Sequence, residues 1–348
     1  MNNYKKILLG LVLIGLVVMA VFAYQVYGTF FTANTNFETE TYEILIPTDA
    51  DYDVAFMAIA ASVKDRDAFH ETAVRKGYNA NVKSGRFLLK QGMSNNDIIN
   101  AVRSRNIPLN VRFNNQERLE DLAGRIATQI EADSTSLMEV MRDSTFLKKN
   151  GFTQENALSM YLPNQYEFYW NSSATTFRDR MFQGYKSFWN ESRLKKAKKI
   201  ELSPQQVSVL ASIVHKETAK VDERPKVAGV YMNRLNTGMR LEADPTVIYS
   251  KKLLDGNFDQ VIKRVLFKDL ELDSRYNTYK YTGLPPGPIV SPDLSAIDAV
   301  LNYEKHDYFF FVADVQNFGY HKFAKNLAQH NANAAEYRRW IQAQNVKR

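Results

Sequence analysis

A chain of 348 residues, 45% hydrophobic and 24% charged, has the composition of a folded protein with room for two modest domains. The absence of cysteine excludes disulfides, a thiol nucleophile, cysteine-ligated zinc and a lipidated cysteine anchor. The net charge of +7 suits an acidic polymer or an anionic membrane surface without deciding between them.

The N-terminus fixes the compartment. Lys5 and Lys6 precede an uncharged apolar run from Ile7 to Ala23, and no acidic residue appears before Glu38. Such a run can cross a hydrocarbon core of about 30 Å. No small-residue cleavage site follows it, so it reads as a transmembrane signal anchor with the lysines held inside; a cleaved signal peptide is the alternative. Both readings put the working part outside the cytoplasm. Residues 1–37 thus hold a stub, an anchor and a polar spacer from Thr32 to Thr39.

The pattern then predicts a strand at Thr41 to Ile46, helices at Asp51 to Val63 and Asp67 to Lys76, and a strand at Gly85 to Leu89. A last helix, capped by Ser94, carries Ile98, Ile99 and Val102. This is a small α+β module, and the break at Asn106-Ile107-Pro108 bounds it at 38–107.

Residues 108–348 make a larger mixed α+β domain. It opens with a strand (Leu109 to Phe113) and a helix (Gln116 to Ile130). Helical segments follow at Ser136 to Lys148 and Thr153 to Ser159, then an aromatic-rich loop from Tyr161 to Trp170. A long amphipathic helix covers Thr176 to Leu194, and Lys195 to Lys199 is a basic, solvated run.

Ser203 to Thr218 is the helix around which the rest is organised. Ser203 suits the N-cap, Pro204 the first helical position, and Gln206 closes a capping box. Val207, Leu210, Ala211 and Val214 define an apolar face. At about 100° per residue, Glu217 lies roughly 20° from Leu210 on that wheel, with His215 roughly opposite. One carboxylate therefore sits on an apolar face at a helix end. It is either a structural partner of Arg224, Arg234 or Lys226, or a general acid whose carboxyl pKa is raised by desolvation.

Beyond it the pattern predicts a helix from Asp222 to Asn236 stopped by Gly238, and a turn at Ala243-Asp244-Pro245-Thr246. A Gly- and Pro-rich stretch (Gly283 to Ile289) and a helix from Ser291, its cap, to Asn302 follow. An apolar, buried strand (Tyr308 to Ala313), a second strand (Tyr320 to Ala324) and a closing helix (Asn331 to Gln344) complete the chain. Walker, dinucleotide-binding, nucleophile-elbow and H-E-x-x-H motifs are missing. His321 and His330 are too far apart for one helical face, so no metal or cofactor is expected. A lone carboxylate with aromatic and amide-bearing loops downstream supplies the materials of a carbohydrate cleft.

The segment Leu210-Ala211-Ser212-Ile213-Val214-His215-Lys216-Glu217-Thr218 resembles the signature of the endolytic murein transglycosylases, the MltG or YceG-like family. Matching blocks follow in the same order: Val227 to Leu235, Gly238 to Leu241, Ala243 to Tyr249, Tyr276 to Tyr279, Gly283 to Ile289, and Phe311 to Ala313 with His321, Phe323, His330 and Asn331. The core of the resemblance spans 203–331, with weaker matches over nearly the whole chain. It departs at His215, where the family usually carries Glu.

The resemblance implies one catalytic Glu, Glu217, and a LysM-like glycan-binding fold for the first module. It also implies non-hydrolytic cleavage of the β-1,4 bond between N-acetylmuramic acid and N-acetylglucosamine. Protonated Glu217 would serve the glycosidic oxygen, then take the muramyl C6-hydroxyl proton as a 1,6-anhydro ring closes. Asn233, Asp244, Tyr249, Tyr276, Asn277, Tyr279, His321 and His330 are candidate substrate-binding residues, with turn or core roles as the alternative. The implied partners are peptidoglycan strands, the membrane and penicillin-binding or other wall synthases, with no nucleic acid. A muramidase on the same scaffold and a non-catalytic, membrane-tethered glycan-binding scaffold are the rival readings.

Overall fold

The computed structural model describes residues 3–343 of a mixed α+β protein that falls into two compact units. The first comprises residues up to Val111 with Gln129–Ala132 and Tyr166–Ser173; the second holds the remainder.

In the first unit, helix α1 (Asn3–Phe31) is long and apolar enough to cross a membrane. Its 29 residues extend about 43 Å, longer than a hydrocarbon core of about 30 Å. Strands β1 (Thr41–Ile46) and β2 (Gly85–Lys90) pair antiparallel, Thr41 opposite Lys90 and Ile46 opposite Gly85. Helices α2 (Tyr52–Ala60) and α4 (Asn95–Val102) pack on the sheet, and α3 (Arg66–Arg75) packs on both of them. In chain order the three start at the side-chain caps Asp51, Asp65 and Ser94, the last in a full capping box with Asp97. Ile44, Ile46, Ile59, Phe69, Phe87 and Ile99 form the fully buried core.

The stretch read as a polar spacer is laced to this unit. Asn34 and Thr35 are buried, and Asn34 bonds the Asp65 backbone and the Asn95 side chain. Asn95 in turn donates to the carbonyl of Thr29 at the end of α1 (2.8 Å). A row of short polar side chains can either float in solvent or fill backbone valences, and here it does the second.

Several expected elements are corrected. The aromatic-rich loop contains strand β4 (Asn164–Phe168), paired with β3 (Leu109–Phe113). The helix expected from Gln116 shortens to α5 (Leu119–Ala127). Ser136 to Lys148 divides into α6 (Ser134–Met141) and α7 (Ser144–Lys149), because Asp143 caps a new helix. A short 3₁₀ turn at Ala157–Met160 replaces the next segment. The long amphipathic helix divides into α8 (Ala174–Phe188) and α9 (Glu191–Lys199), again because a cap, Asn190, restarts the hydrogen bonding.

At the centre of the second unit lies α10 (Pro204–Glu217), with the Ser203–Gln206 capping box in place and every residue from Val207 to Val214 buried. It packs against α11 (Arg224–Asn236), α12 (Asp244–Asp255) and α13 (Leu294–Leu301). Each fully buried Val, Leu or Ile on it is worth about 1.5–3 kcal/mol, which anchors the helix firmly enough to hold a costly group at its end. The expected turn at Asp244 is the first turn of α12, since Pro at the second helical position lacks only an N–H that would go unused. Ser291 does not cap α13: its hydroxyl accepts the Gln116 N–H (2.8 Å), and Asp293 stands at the N-cap.

Strands β5 (Phe310–Ala313) and β6 (His321–Ala324) form an antiparallel hairpin, Phe311 opposite Phe323. Unlike the expected buried strand, β5 is half-exposed along its length, because it has one strand neighbour and one covering helix. That helix is α14 (Leu327–Ala343), which begins four residues before the expected start; the expected end, Gln344, lies outside the described residues.

Candidate active site

Helix α10 ends at Glu217, and Thr218 turns into extended backbone (φ −139°, ψ 132°). The Glu217 side chain therefore leaves the buried face at the point where the helix stops shielding it. It enters a cleft of about 330 Å³ whose walls come from α11, the start of α12, the Tyr279 segment, the β5–β6 hairpin and α14.

The carboxyl group is held by one neutral donor. Tyr231 on α11, 2% exposed, gives its hydroxyl proton to Glu217 Oε1 at 2.7 Å. Among the described residues Glu217 makes no ion pair. Arg224 binds Asp293 and Ser295, Arg234 binds Glu242, and Lys226 lies over the rings of Tyr308 and Phe323. A carboxylate without a counter-ion and poor in water is costly, and the proton relieves that cost.

Burial accordingly pushes the Glu217 pKa up to about 7, and the negative charge of Asp244 pushes the same way. Tyr231, by bonding the ionised form, and His321 pull it back. The result is a carboxyl that holds its proton near neutral pH and can part with it. Burial and the neighbouring Glu217 hold the Tyr231 hydroxyl well above the usual tyrosine range, so it remains a donor.

The walls are braced by further pairs. Tyr279 donates to Asp244 Oδ1 (2.7 Å). Arg234 reaches the Phe309, Arg240 and Leu241 carbonyls and Glu242 Oε2 with bonds of 2.7–3.0 Å, tying the hairpin to the loop before α12. Glu242 takes φ +52°, in the left-handed region that non-glycine residues seldom occupy. Glu223, just before α11, accepts both the N–H and the ring Nδ1 of His321 (2.6 and 2.8 Å). His330 stacks on Phe310, and burial and Arg234 lower its pKa.

Glu217, Asp244, Tyr279, His321 and His330 thus line one cleft. The other candidates stand elsewhere. Asn233 spends its amide on the His306 and Tyr308 carbonyls. Asn277, fully buried, bonds the Leu270 and Leu272 carbonyls and the Tyr279 N–H. Tyr249 and Tyr276 pack tilted against each other (ring centres 4.7 Å apart) beside a smaller cavity of about 140 Å³. His215 turns away from Glu217 towards Asp293 (3.2 Å) and Arg224.

Sequence reasoning passed over Tyr231, Glu223, Arg234 and Glu242 as site residues. Tyr231 carried a usable signal, since an inward-facing phenol on the neighbouring helix needs a partner. A left-handed Glu242 leaves no trace in the sequence.

Comparison with known proteins places this geometry in context. The model of the YceG-like family matches residues 46–336. A Bacillus subtilis (strain 168) protein named endolytic murein transglycosylase is 31% identical over 293 residues, 79% of this chain and 78% of that protein. Two Streptococcus pneumoniae proteins of the same name are 39% identical over 136 residues, 39% of this chain but 24% of each of theirs. A solved YceG-like protein from Listeria monocytogenes superposes with a TM-score of 0.56 at 26% identity, covering 85% of this chain and 99% of that one.

Proposed function

The chain belongs to the YceG-like family, and from that membership we propose how its cleft performs the reaction of an endolytic murein transglycosylase. The protein is a lytic transglycosylase and its substrate is peptidoglycan. The bond cut is the β-1,4 link between N-acetylmuramic acid and N-acetylglucosamine within a strand.

The observation that carries the mechanism is the Glu217 carboxyl, without a counter-ion among the described residues and open to a cleft, where burial pushes its pKa up to about 7. Ordinary glycosidases divide acid and base between two carboxylates, and substrate-assisted enzymes do without one of them. In this mechanism Glu217 gives its proton to the glycosidic oxygen, and the C1–O4 bond breaks. The 2-acetamido group of the substrate supports the cationic C1. The C6 oxygen then bonds C1, and its proton restores Glu217. The product is a 1,6-anhydromuramyl end, formed without water. The cleft braces this chemistry, with Tyr231 fixing the carboxyl and Asp244 helping to keep its proton on.

Helix α1 suits a single-pass anchor, with Lys5 and Lys6 in the cytoplasm and everything after it on the outer side of the cytoplasmic membrane. Residues 38–107 are proposed as a LysM-like glycan-binding module and 108–348 as the catalytic domain. A catalytic domain tethered there meets nascent strands as they emerge, which fits a terminator of strand elongation working beside penicillin-binding proteins and other wall synthases. The chain has no cysteine, so one introduced at exposed Lys148 tests the topology directly. Labelling of intact cells by a membrane-impermeant maleimide supports the outward orientation; labelling only after lysis sinks it.

Mass analysis of digested peptidoglycan tests the reaction. Anhydromuramyl ends support it, and reducing muramyl ends would mean a hydrolase.

A further inference from the structure

One buried acid in this region is not used by the mechanism above. Glu223, its side chain 4% exposed, lies between the end of α10 and the first residue of β6. Its Oε1 accepts the His321 N–H at 2.6 Å, its Oε2 accepts from His321 Nδ1 at 2.8 Å, and the Thr218 hydroxyl also bonds it. Those hydrogen bonds, together with the charge His321 carries when protonated, hold the Glu223 carboxyl below its ordinary range against the opposing effect of burial, so it is ionised. An ionised carboxylate only accepts, so the proton of a neutral His321 must sit on Nδ1.

That leaves Nε2. It has no protein partner among the described residues, and the imidazole forms part of the wall of the cleft that holds Glu217. The edge-to-face contact with Phe311, ring centres 5.0 Å apart, keeps the ring from turning. The sole cation that Glu223 can pair with is the imidazolium that forms when Nε2 gains a proton; no Lys or Arg approaches it among the described residues. A buried carboxylate with that one partner contributes little as a structural ion pair, yet it orients a base well.

We propose that Glu223 and His321 form a proton-relay pair for ring closure, His321 Nε2 taking the proton of the muramyl C6 hydroxyl and passing it to the Glu217 carboxylate. This rests on the transglycosylase mechanism proposed above and deepens its second half. When the C1–O4 bond has broken, Glu217 has just released its proton to O4 and still accepts the Tyr231 hydroxyl at Oε1. The C6 hydroxyl then loses its proton to Nε2 as the new O6–C1 bond forms. The imidazolium, balanced by Glu223 through Nδ1–H, returns that proton to Glu217 from the same cleft. The proton count closes, no water is consumed, and Glu217 ends as it began. Glu223 acts through His321 and is a positioning residue; His321 is the catalytic one.

Other charged groups face the same space. Asp244, Glu242, Arg234 and His330 line the cleft, and Asp222 is held beside the hairpin by the Tyr320 hydroxyl (2.9 Å). A pH profile alone would mix their effects, so the test reads products and rescue.

The full chain in detergent, as wild type, His321→Ala, Glu223→Gln, the double variant and Glu217→Gln, is given purified peptidoglycan. We expect His321→Ala to slow anhydromuramyl formation by a factor on the order of 10²–10⁴ and added imidazole to restore part of it. Glu223→Gln slows it less, and the double variant is no slower than His321→Ala, because Glu223 acts only through that ring. An unrescued His321→Ala enzyme also yields a larger share of reducing ends, as water competes for the unclosed cation. Wild-type rates in His321→Ala, or a slow His321→Ala enzyme that imidazole does not rescue while the two losses multiply in the double variant, would overturn the relay. The His321 side chain is 16% exposed and is the ring partner of Glu223, so His321→Asn, whose amide can still donate to Glu223 but cannot carry a proton, is run beside His321→Ala, and matching melting temperatures separate lost relay from lost folding. The relay fails alone if His321→Ala is fully active while Glu217→Gln is dead. Anhydro ends from Glu217→Gln, or only reducing ends from wild type, would instead sink the underlying mechanism.

Discussion

The hydroxyl of Tyr231 donates to Glu217 Oε1 across 2.7 Å, and this bond works against the burial that raises the Glu217 pKa. A donor to a carboxylate favours the ionised form. The carboxyl at the end of α10 is therefore balanced between two opposed effects, and each can be removed separately.

Tyr231→Phe removes the donor and leaves the ring in its T-shaped contact with Phe311. The Glu217 pKa should rise above its present value of about 7. Since bond cleavage needs the protonated form, the alkaline limb of the pH–rate profile should move to higher pH. A limb that stays in place would show that the hydrogen bond does not tune the acid.

Asp244→Asn should do the opposite. Its charge favours the protonated form of Glu217, so neutralising it lowers that pKa and moves the alkaline limb to lower pH. Asparagine can still accept the Tyr279 hydroxyl, which keeps the start of α12 in place. The two variants shifting in the same direction would contradict this electrostatic account.

A third consequence concerns stability. The folded pKa of Glu217, about 7, exceeds its unfolded value of 4.5, so the folded state binds the proton more tightly. Between those values stability falls as pH rises, and above both the full penalty remains. Glu217→Gln should thus stabilise the protein at pH 8, by about 1–3 kcal/mol after allowing for solvent in the cleft, and change little at pH 4. Melting curves at the two pH values check this; equal shifts at both would mean the effect is steric.

Gly287 lies where the chain passes the Glu155 carbonyl so closely that an added Cβ would fall 1.9 Å from that oxygen. Backbone atoms on both sides cannot yield as a side chain tip can. Gly287→Ala should cost about 1–3 kcal/mol or more, read by chemical denaturation. An unchanged midpoint would show that the loop shifts freely.

Local chemistry made much of this fold legible in the sequence. The capping boxes at Ser94 and Ser203 are spelled out over four residues each, and the apolar face of α10 repeats at helical spacing. Where the deciding partner lies far along the chain, the pattern misled. Strand β4, Asn164–Phe168, has no alternation to betray it, and it exists because β3, some fifty residues earlier, offers an edge. Asp143 and Asn190 are residue types that cap helices well, yet amphipathic spacing continues across both, so the two breaks do not show in the pattern. In the cleft, Glu217 stood out because a carboxylate on an apolar face is anomalous. The sequence offers Arg234 only as a salt-bridge partner of Glu217 and sets Glu223 in no pattern; the burial of both follows only from the hairpin folding over α11.

The central claim is that Glu217 is the acid of a transglycosylation. The measurement that tests it most directly is digestion of purified peptidoglycan by the full chain in detergent, wild type beside Glu217→Gln, with the products weighed by mass spectrometry. Anhydromuramyl ends from the wild type and none from the variant are the predicted result. Anhydromuramyl ends from both would contradict the account.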